Sequence, residues 1–307
     1  MDDAAKLPKG LTVFERGWLS ANNILFTGKD AAALVDSGYW THARQTVALV
    51  EQALGTRPLD LLLNTHLHSD HCGGNAMLRQ RYPALQIGIP PGQASQVSHW
   101  DPIALTYTPT GQHCPRFEFT QTLDPGRDVE LGDLLWQIHG APGHDPHSII
   151  LFEPGSRTLI SADALWENGF GVVFPELEGT SAFTEVAATI DLIEALAPRI
   201  VVPGHGKVFI HVKEAIARSR SRLESFVRDP RKHAAHAAKV LLKFKLLELQ
   251  QSNAQDFYSW ATTTAYFQLV HRRYFREVEM GSWLEELVAS LVQSGVAQRH
   301  DSLILNA

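Results

Sequence analysis

The sequence predicts an α+β protein: a layered domain of sheets and helices over residues 1–210, then a mainly helical domain over residues 211–307. Three observations point there. Short apolar runs alternate with helical stretches through the first two hundred residues, the pattern of sheets covered by helices. Beyond residue 210 the pattern turns helical. The charge changes at the same place: residues 1–210 carry -10, residues 211–250 carry +6, and residues 251–307 carry -2.

The elements follow in order. Residues 11–14, 23–26 and 32–36 read as strands, the last ended by Ser37-Gly38. Residues 41–54 place Val47, Val50 and Leu54 on one side and stop at Gly55, which predicts an amphipathic helix. Leu59 to Asn64 is a continuous apolar run closing in a polar loop, hence a buried strand. Further strands are expected at 85–89, 134–139, 148–152, 158–161 and 200–202. Residues 185–196 form a helix stopped by Pro198. Long helices are expected over 211–228 and 232–251. A capping box of Ser282 with Glu285 opens a helix through Gln293, with Trp283, Leu284, Leu287, Val288 and Leu291 on one face. Residues 296–299 and 303–305 flank a turn and predict a terminal hairpin.

Composition bounds the class. The chain has 44% hydrophobic and 20% charged residues, the balance of a globular protein. No apolar run reaches the length of a membrane span. The opening ten residues, MDDAAKLPKG, lack the apolar core of a secretion signal. Two cysteines, Cys72 and Cys114, make no disulfide framework, so a cytoplasmic setting is expected. Histidine is the outlier, with 15 copies against 3 methionines.

Those histidines are patterned. Thr65-His66-Leu67-His68-Ser69-Asp70-His71 places His66 and His68 two apart on an extended segment, so both imidazoles face one side. Asp70 and His71 follow as the chain turns, within reach of a second metal. Neutral imidazoles with a carboxylate suit Zn²⁺, and Fe²⁺ or Mn²⁺ accept the same set. Three later positions also sit just past predicted strands: His144 in Pro-Gly-His, Asp163 in Ser-Ala-Asp, and His205 in Pro-Gly-His-Gly. Ligand loops at one edge of a rigid sheet are where an active site belongs. Neither a GxSxG motif nor a Walker A loop is present.

The order HxHxDH, GH, AD, PGHG resembles the metallo-β-lactamase fold superfamily over about residues 11–210. The resemblance implies a four-layer αβ/βα sandwich and hydrolysis by a metal-bridging hydroxide, with two Zn²⁺ as the expected cofactors. It implies His66, His68 and His144 on one metal, Asp70, His71 and His205 on the other, and Asp163 bridging both. Asp70, beside the bridging water, is implied as the catalytic residue. The bridging Asp163 departs from true metallo-β-lactamases, which generally lack it. His68 departs from flavodiiron proteins, which carry Glu there. Glyoxalase II enzymes, lactonases, RNA-processing nucleases and mono-iron persulfide dioxygenases share the Asp. The helices and terminal hairpin after residue 210 resemble a winged-helix module, like the tail of bacterial β-lactamase-like hydrolases and of a related endoribonuclease.

Other residues stand near these motifs. His147 reads as a packed neighbour of His144, and Cys72 as a small buried residue. Asn64 and Asp145 are candidates to orient metal ligands, or plain turn residues. The segment 100–116, with His113-Cys114, reads as a loop near the mouth. Trp166, Phe170 and Phe174 are candidates for an apolar substrate wall. The basic stretch from Arg218 to Lys245 reads as a solvated helix face, with nucleic-acid contact as its alternative.

These readings favour hydrolysis of a small ester-like substrate, a thioester or lactone. The alternatives are a nucleic-acid-processing phosphodiesterase or nucleic-acid-binding protein, and a mono-iron persulfide dioxygenase. The short apolar junction Gly206 to Ile210 predicts a tail packed on the first domain beside the mouth of the site.

Overall fold

The computed structural model describes residues 6–307; half of the N-terminal segment read as lacking a secretion signal lies outside them. Two sheets carry the ligand candidates. The first runs in the order β1 (Leu11–Phe14), β2 (Asn23–Thr27), β3 (Ala32–Val35), β4 (Leu61–Leu63), β5 (Gln86–Ile89) and β6 (Gln121–Thr122). The second places β7 (Asp128–Leu131), β8 (Leu134–Gly140), β9 (Ile149–Glu153), β10 (Thr158–Ala162) and β11 (Ile200–Pro203) side by side. Strand alternation sets the layering. Ile24, Phe26, Val35 and Leu63 of the first sheet meet Ile149, Leu151, Ile160 and Val202 of the second in one core between the sheets. The intervening residues, such as Leu25, Leu34 and Leu62, face the other way into a second core. Both faces are buried, which is why these strands read as continuous apolar runs rather than alternating ones.

Helices close each outer face. α1 (Ala43–Leu54), α2 (Ser69–Cys72), α3 (Asn75–Arg81) and α4 (Ala94–His99) lie on the side of the first sheet, with Val50, Leu54, Leu78 and Val97 in its outer core. α5 (Phe174–Glu178) follows the second sheet's β10. α6 (Phe183–Leu196) and α7 (Val212–Arg228) cover that sheet through Ile190, Ile193, Ile216, Leu223 and Phe226. The result is helix, sheet, sheet, helix, the expected four-layer sandwich.

The chain then builds a further core from α8 (Pro230–Leu249), α9 (Ala254–Thr263), α10 (Ala265–Tyr274) and α11 (Met280–Gln293). A three-stranded sheet joins them, ordered β12 (Gln251–Asn253), β14 (Leu303–Asn306) and β13 (Ala297–His300), so the terminal hairpin forms. The capping box does not. Helix α11 starts earlier, at Met280, and the Glu279 side chain caps it by accepting from Ser282 N at 2.8 Å. Glu285 is drawn instead to Arg299 on the hairpin.

This helical part is tied to the sandwich. Val212 begins a helix two residues after the apolar junction, and no flexible spacer intervenes. Tyr39 packs edge-on against Phe244 with ring centroids 5.0 Å apart, and its hydroxyl meets Glu248 Oε1 at 3.2 Å. Tyr266 N donates to Pro109 O at 3.0 Å. Val173 N donates to His233 Nε2 at 3.2 Å, and the Tyr266 ring packs on Phe174.

Candidate metal centre

The ligand candidates stand at the ends of strands. β4 delivers His66 and His68, the single turn α2 presents Asp70 and His71, β8 leads to His144, β10 to Asp163 and β11 to His205. The strands that carry them share one edge, so residues up to 139 positions apart meet. Two features of the backbone make the approach close. A bulge in the β10–β11 pairing leaves Ala162 at φ 46°, a left-handed conformation that turns Asp163 inward. Gly204 lies so near that a Cβ there would sit 2.2 Å from Asp163 Oδ1, so only glycine fits.

Three groups of donor atoms converge: His66 with His68 and His144; His66 with His71 and Asp163; Asp70 with His71 and His205. In the first, His68 Nδ1 lies 3.1 Å from His66 Nε2 and 2.8 Å from His144 Nε2. Asp163 spans the groups, with Oδ2 3.4 Å from His144 Nε2 and Oδ1 3.4 Å from His71 Nε2. His205 Nε2 lies 3.1 Å from Asp70 Oδ2 and 3.9 Å from Asp163 Oδ1.

The outward nitrogens fix what the inward ones are. The Val172 carbonyl can only accept, so His144 Nδ1, at 2.5 Å, carries the proton and Nε2 presents a lone pair. Asp36 Oδ2 accepts a hydrogen bond from His71 Nδ1 at 2.7 Å. Thr65 Oγ1 donates to Asp36 Oδ2 at 2.8 Å, which leaves it an acceptor for His66 Nδ1 at 3.2 Å. The Gly17 carbonyl orients His205 Nδ1 at 3.3 Å. His66 and His144 are neutral: burial, reinforced by neighbouring histidines, pushes His144 down to about 4 and His66 well below its usual value. The first group therefore brings three ring nitrogens together with at most one proton among them. Among the described residues His71 Nε2 is buried without a hydrogen-bond partner. Converging lone pairs and an orphaned buried nitrogen are what a cation satisfies, and the donor set fits a transition metal.

The acids are poised to match. Burial would raise Asp163, but His71 and His205 outweigh it and hold it well below the carboxylate range. Burial opposes ionisation of Asp70 as well, and again His71 and His205 prevail and lower it. Burial would lower His71, but Asp36, Asp163 and Asp70 outweigh it and raise it, so a proton competes with any cation for Nε2.

A cavity of about 330 Å³ opens over these groups. Trp18 stacks on His205 with centroids 5.4 Å apart and planes 7° apart, and Trp166 meets His205 at 5.5 Å and Trp18 at 5.3 Å. Trp166 Nε1 also donates to Asp163 Oδ1 at 3.2 Å. Phe174 lines the cavity beside His68, whereas Phe170 is buried in the outer core of the second sheet, so the aromatic cluster is divided between wall and core. Thr106, Thr110 and Gln112 bring the 100–116 loop to the mouth, and Val240, Leu241 and Phe244 of α8 form the opposite wall.

The remaining sequence candidates fall outside the cluster. His147 lies against Gly92. Asp145 Oδ2 lies 3.8 Å from His68 Nε2 and Oδ1 accepts from His147 N. Asn64 Nδ2 donates to the His71 carbonyl at 3.2 Å, which braces α2. Cys72 is fully buried, with its sulfur 3.8 Å from that of Cys114. Part of the basic stretch pairs within the molecule, Arg220 with Asp191 and Glu194, Arg231 with Glu277, Lys245 with Glu248, and Lys243 with Val296 and Asn306, while Arg218, Arg228, Arg231 and Lys232 stand exposed on the helix surface. Sequence reasoning missed Asp36, Trp18 and the inward turn of Arg222 and His236 into the cavity. An acid closing the apolar strand 32–35 was the available signal for Asp36.

Comparison with known proteins agrees with this architecture. A family model for the metallo-beta-lactamase superfamily matches residues 16–205. A hydroxyacylglutathione hydrolase of Xylella fastidiosa (strain 9a5c) is 31% identical over 166 residues, 54% of this chain and 51% of that protein. One from Idiomarina loihiensis is 28% identical over 152 residues, 50% of this chain and 47% of that protein. The chain thus spans about half the length of the curated relatives it matches. A beta-lactamase domain protein from Burkholderia ambifaria superposes with a TM-score of 0.61 at 19% identity, covering 100% of this chain and 97% of that one. A metallo-beta-lactamase family protein from Thermus thermophilus does so at 0.59 and 17% identity, covering 98% and 100%. These two share the fold along the helical part as well. Because the family model spans well over half of the chain, and ends at the last of the converging histidines, the chain belongs to the metallo-β-lactamase superfamily.

Proposed function

We propose that this chain is a dinuclear metal-dependent hydrolase of a small ester-like substrate, a thioester or a lactone. The carrying observation is that Asp163 faces two donor groups at once, with one oxygen toward His144 and the other toward His71. His66, His68 and His144 would hold one ion, Asp70, His71 and His205 the other, and Asp163 both; Zn²⁺ suits this set. Bound there, a metal pair supplies a water of lowered pKa and an electrophile for a carbonyl oxygen. The chain's own residues do the rest. Asp70, held ionised by His71 and His205, accepts a hydrogen bond from the attacking water and takes up its proton at Oδ. Trp18, Trp166 and Phe174 exclude bulk water and hold the acyl part against the centre.

The thioester reading is supported by the hydroxyacylglutathione hydrolases among the relatives, which match about half of this chain. We also propose that the chain divides near residue 210, with α7 covering the catalytic sheet as it leads into a winged-helix-like domain. That assignment rests on α8 to α11 and the β13–β14 hairpin sharing one core, to whose buried residues the first part of the chain adds only Val172 and Leu177. The basic residues engaged in ion pairs favour a small-molecule substrate over nucleic acid.

Elemental analysis of protein purified without chelator tests the centre. Close to two transition-metal ions per chain are expected, together with turnover of thioesters or lactones. A single iron per chain with no hydrolysis of either class would overturn the proposal.

A further inference from the structure

Among the described residues Arg222 has two hydrogen-bond acceptors and no counter-ion. Among the described residues no carboxylate lies within 4.0 Å of it, whereas Arg220 and Arg231 each have one. It is half-buried, and its guanidinium lies over Phe226 at 5.5 Å and near Phe170 at 5.9 Å. Nη1 donates to the Asn168 carbonyl at 3.2 Å and Nη2 to His236 Nε2 at 2.8 Å. Neither acceptor carries charge. Burial, with Arg222 beside it, pushes His236 down to about 3, so this imidazole is neutral. A desolvated cation held by uncharged acceptors is costly unless an anion completes it.

The surroundings are built around this side chain. Gly169 stands at φ 134°, and a Cβ there would lie 2.4 Å from Arg222 Nη1. Arg222 lines the same cavity as His68, Asp70 and His205, and apolar Val172, Phe174 and Leu241 line it too. Glu167 and Lys207 are the other charged residues of that cavity outside the metal centre. The backbone of Glu167 is tied by Arg218 Nε at 2.8 Å, and no ion pair joins the side chain of Glu167 to Arg222.

We propose that Arg222, positioned by His236, anchors a carboxylate on the far end of the substrate. The chain would thereby select esters or thioesters that carry an acid group beyond an apolar spacer. This rests on the ester-like hydrolase reading and adds to it the substrate's charge. A planar guanidinium offers two parallel donors to a carboxylate, a match that an amide cannot reproduce.

Two paired measurements test it. In the first, kcat/KM is compared for a thioester ending in a free carboxylate and for the same thioester ending in a primary amide. The expected preference for the acid is about ten- to a hundredfold, carried mainly by KM. It should collapse to within about twofold in Arg222→Gln and survive in part in Arg222→Lys, which keeps the charge without the fork. In the second, calorimetry compares binding of adipate and of its half-amide to the metal-loaded protein. Adipate should bind more tightly to the wild type, and Arg222→Gln should remove the difference. If neither thioester turns over but adipate retains its Arg222-dependent advantage, the hydrolase reading fails and the anion anchor stands. A wild type indifferent to the carboxylate in both pairs overturns the anchor and leaves Arg222 a tether between α7 and the 166–174 segment. An acid preference that persists undiminished in Arg222→Gln overturns it equally.

Discussion

His71 Nδ1 donates to Asp36 Oδ2 across 2.7 Å, and its other nitrogen points, buried and unpartnered, toward Asp163 Oδ1 at 3.4 Å. The two carboxylates thus sit on opposite sides of one imidazole. Asp36 fixes the tautomer and leaves Nε2 free to bind a cation. Asp36 is itself fixed, by Thr65 N at 2.9 Å and Thr65 Oγ1 at 2.8 Å, and it stands at φ 58°. A non-glycine residue held in that conformation indicates surroundings that specify it.

Asp36→Asn should therefore weaken metal binding while leaving the proposed ligands in place. The amide cannot accept from both Thr65 and His71 without turning a donor toward one of them. A loss of about 10- to 100-fold in affinity is expected, as for other groups that orient metal ligands. Competition with a chromophoric chelator measures it. Affinity within about twofold of wild type would show that His71 is oriented without Asp36.

Asp70→Ala should cost about 10²- to 10⁴-fold in kcat, because it removes both a metal-facing oxygen and the group assigned to the water's proton. Circular dichroism should be unchanged, since Asp70 lies on the four-residue helix α2 and takes no part in a hydrophobic core. More than about a tenth of wild-type kcat in Asp70→Ala would contradict the assignment.

His233 and His236 predict an acid-sensitive fold. Burial, then Arg222, pushes His233 down to about 4 and His236 to about 3. Both are neutral in the folded protein at pH values where the unfolded chain, with ordinary values near 6.5, binds protons. The unfolded state thus takes up more protons between about pH 6.5 and 4, and stability falls as the pH is lowered through that window. At pH 5 each group should cost up to about 2 kcal/mol relative to about pH 7.5. Urea denaturation of His233→Gln/His236→Gln and of the wild type at both pH values isolates the effect, because the histidines of the candidate metal centre are common to both. Equal pH dependence in the two proteins would contradict it.

Much of this was legible in the sequence, for identifiable reasons. His66, His68, Asp70 and His71 are nearly contiguous, so their spacing alone brings them together. His144, Asp163 and His205 each follow a strand, and apolar runs locate strands well because both faces of each sheet are buried. Asp36 was hidden because it resembles any acid at a turn, and its partner lies 35 positions on. Arg222 was hidden among neighbours of the same charge, because helix phase alone does not say that α7 turns this residue toward the cavity. The helices α9 and α10 escaped notice because Thr262, Thr263 and Thr264 break their helical pattern, and their aromatic residues are fixed by tertiary packing against α11.

The tail itself supplies the last prediction. A chain cut after Gly206 should be insoluble or inactive. The cut removes α7, whose Ile216, Leu223 and Phe226 cover the second sheet, and so uncovers Ile190, Ile193 and Phe170. It also removes α8, which leaves Tyr39 without Phe244 and opens the cavity wall formed by Val240 and Leu241. At about 25 cal/mol per Å² of apolar surface, a handful of large side chains returned to water is a substantial part of a typical stability of about 5–15 kcal/mol. A second cut, after Asp229, separates the two contributions. It keeps α7 on the sheet and removes α8 to α11 with the hairpin, which uncovers Val172 and Leu177 but not the second sheet, so it should be the more soluble fragment, with turnover impaired by loss of Phe244 from the cavity and of the Tyr266 contact with Phe174. Solubility on size-exclusion chromatography and thioester turnover report on both. A soluble, fully active 1–206 fragment would contradict this account and make the tail a detachable module.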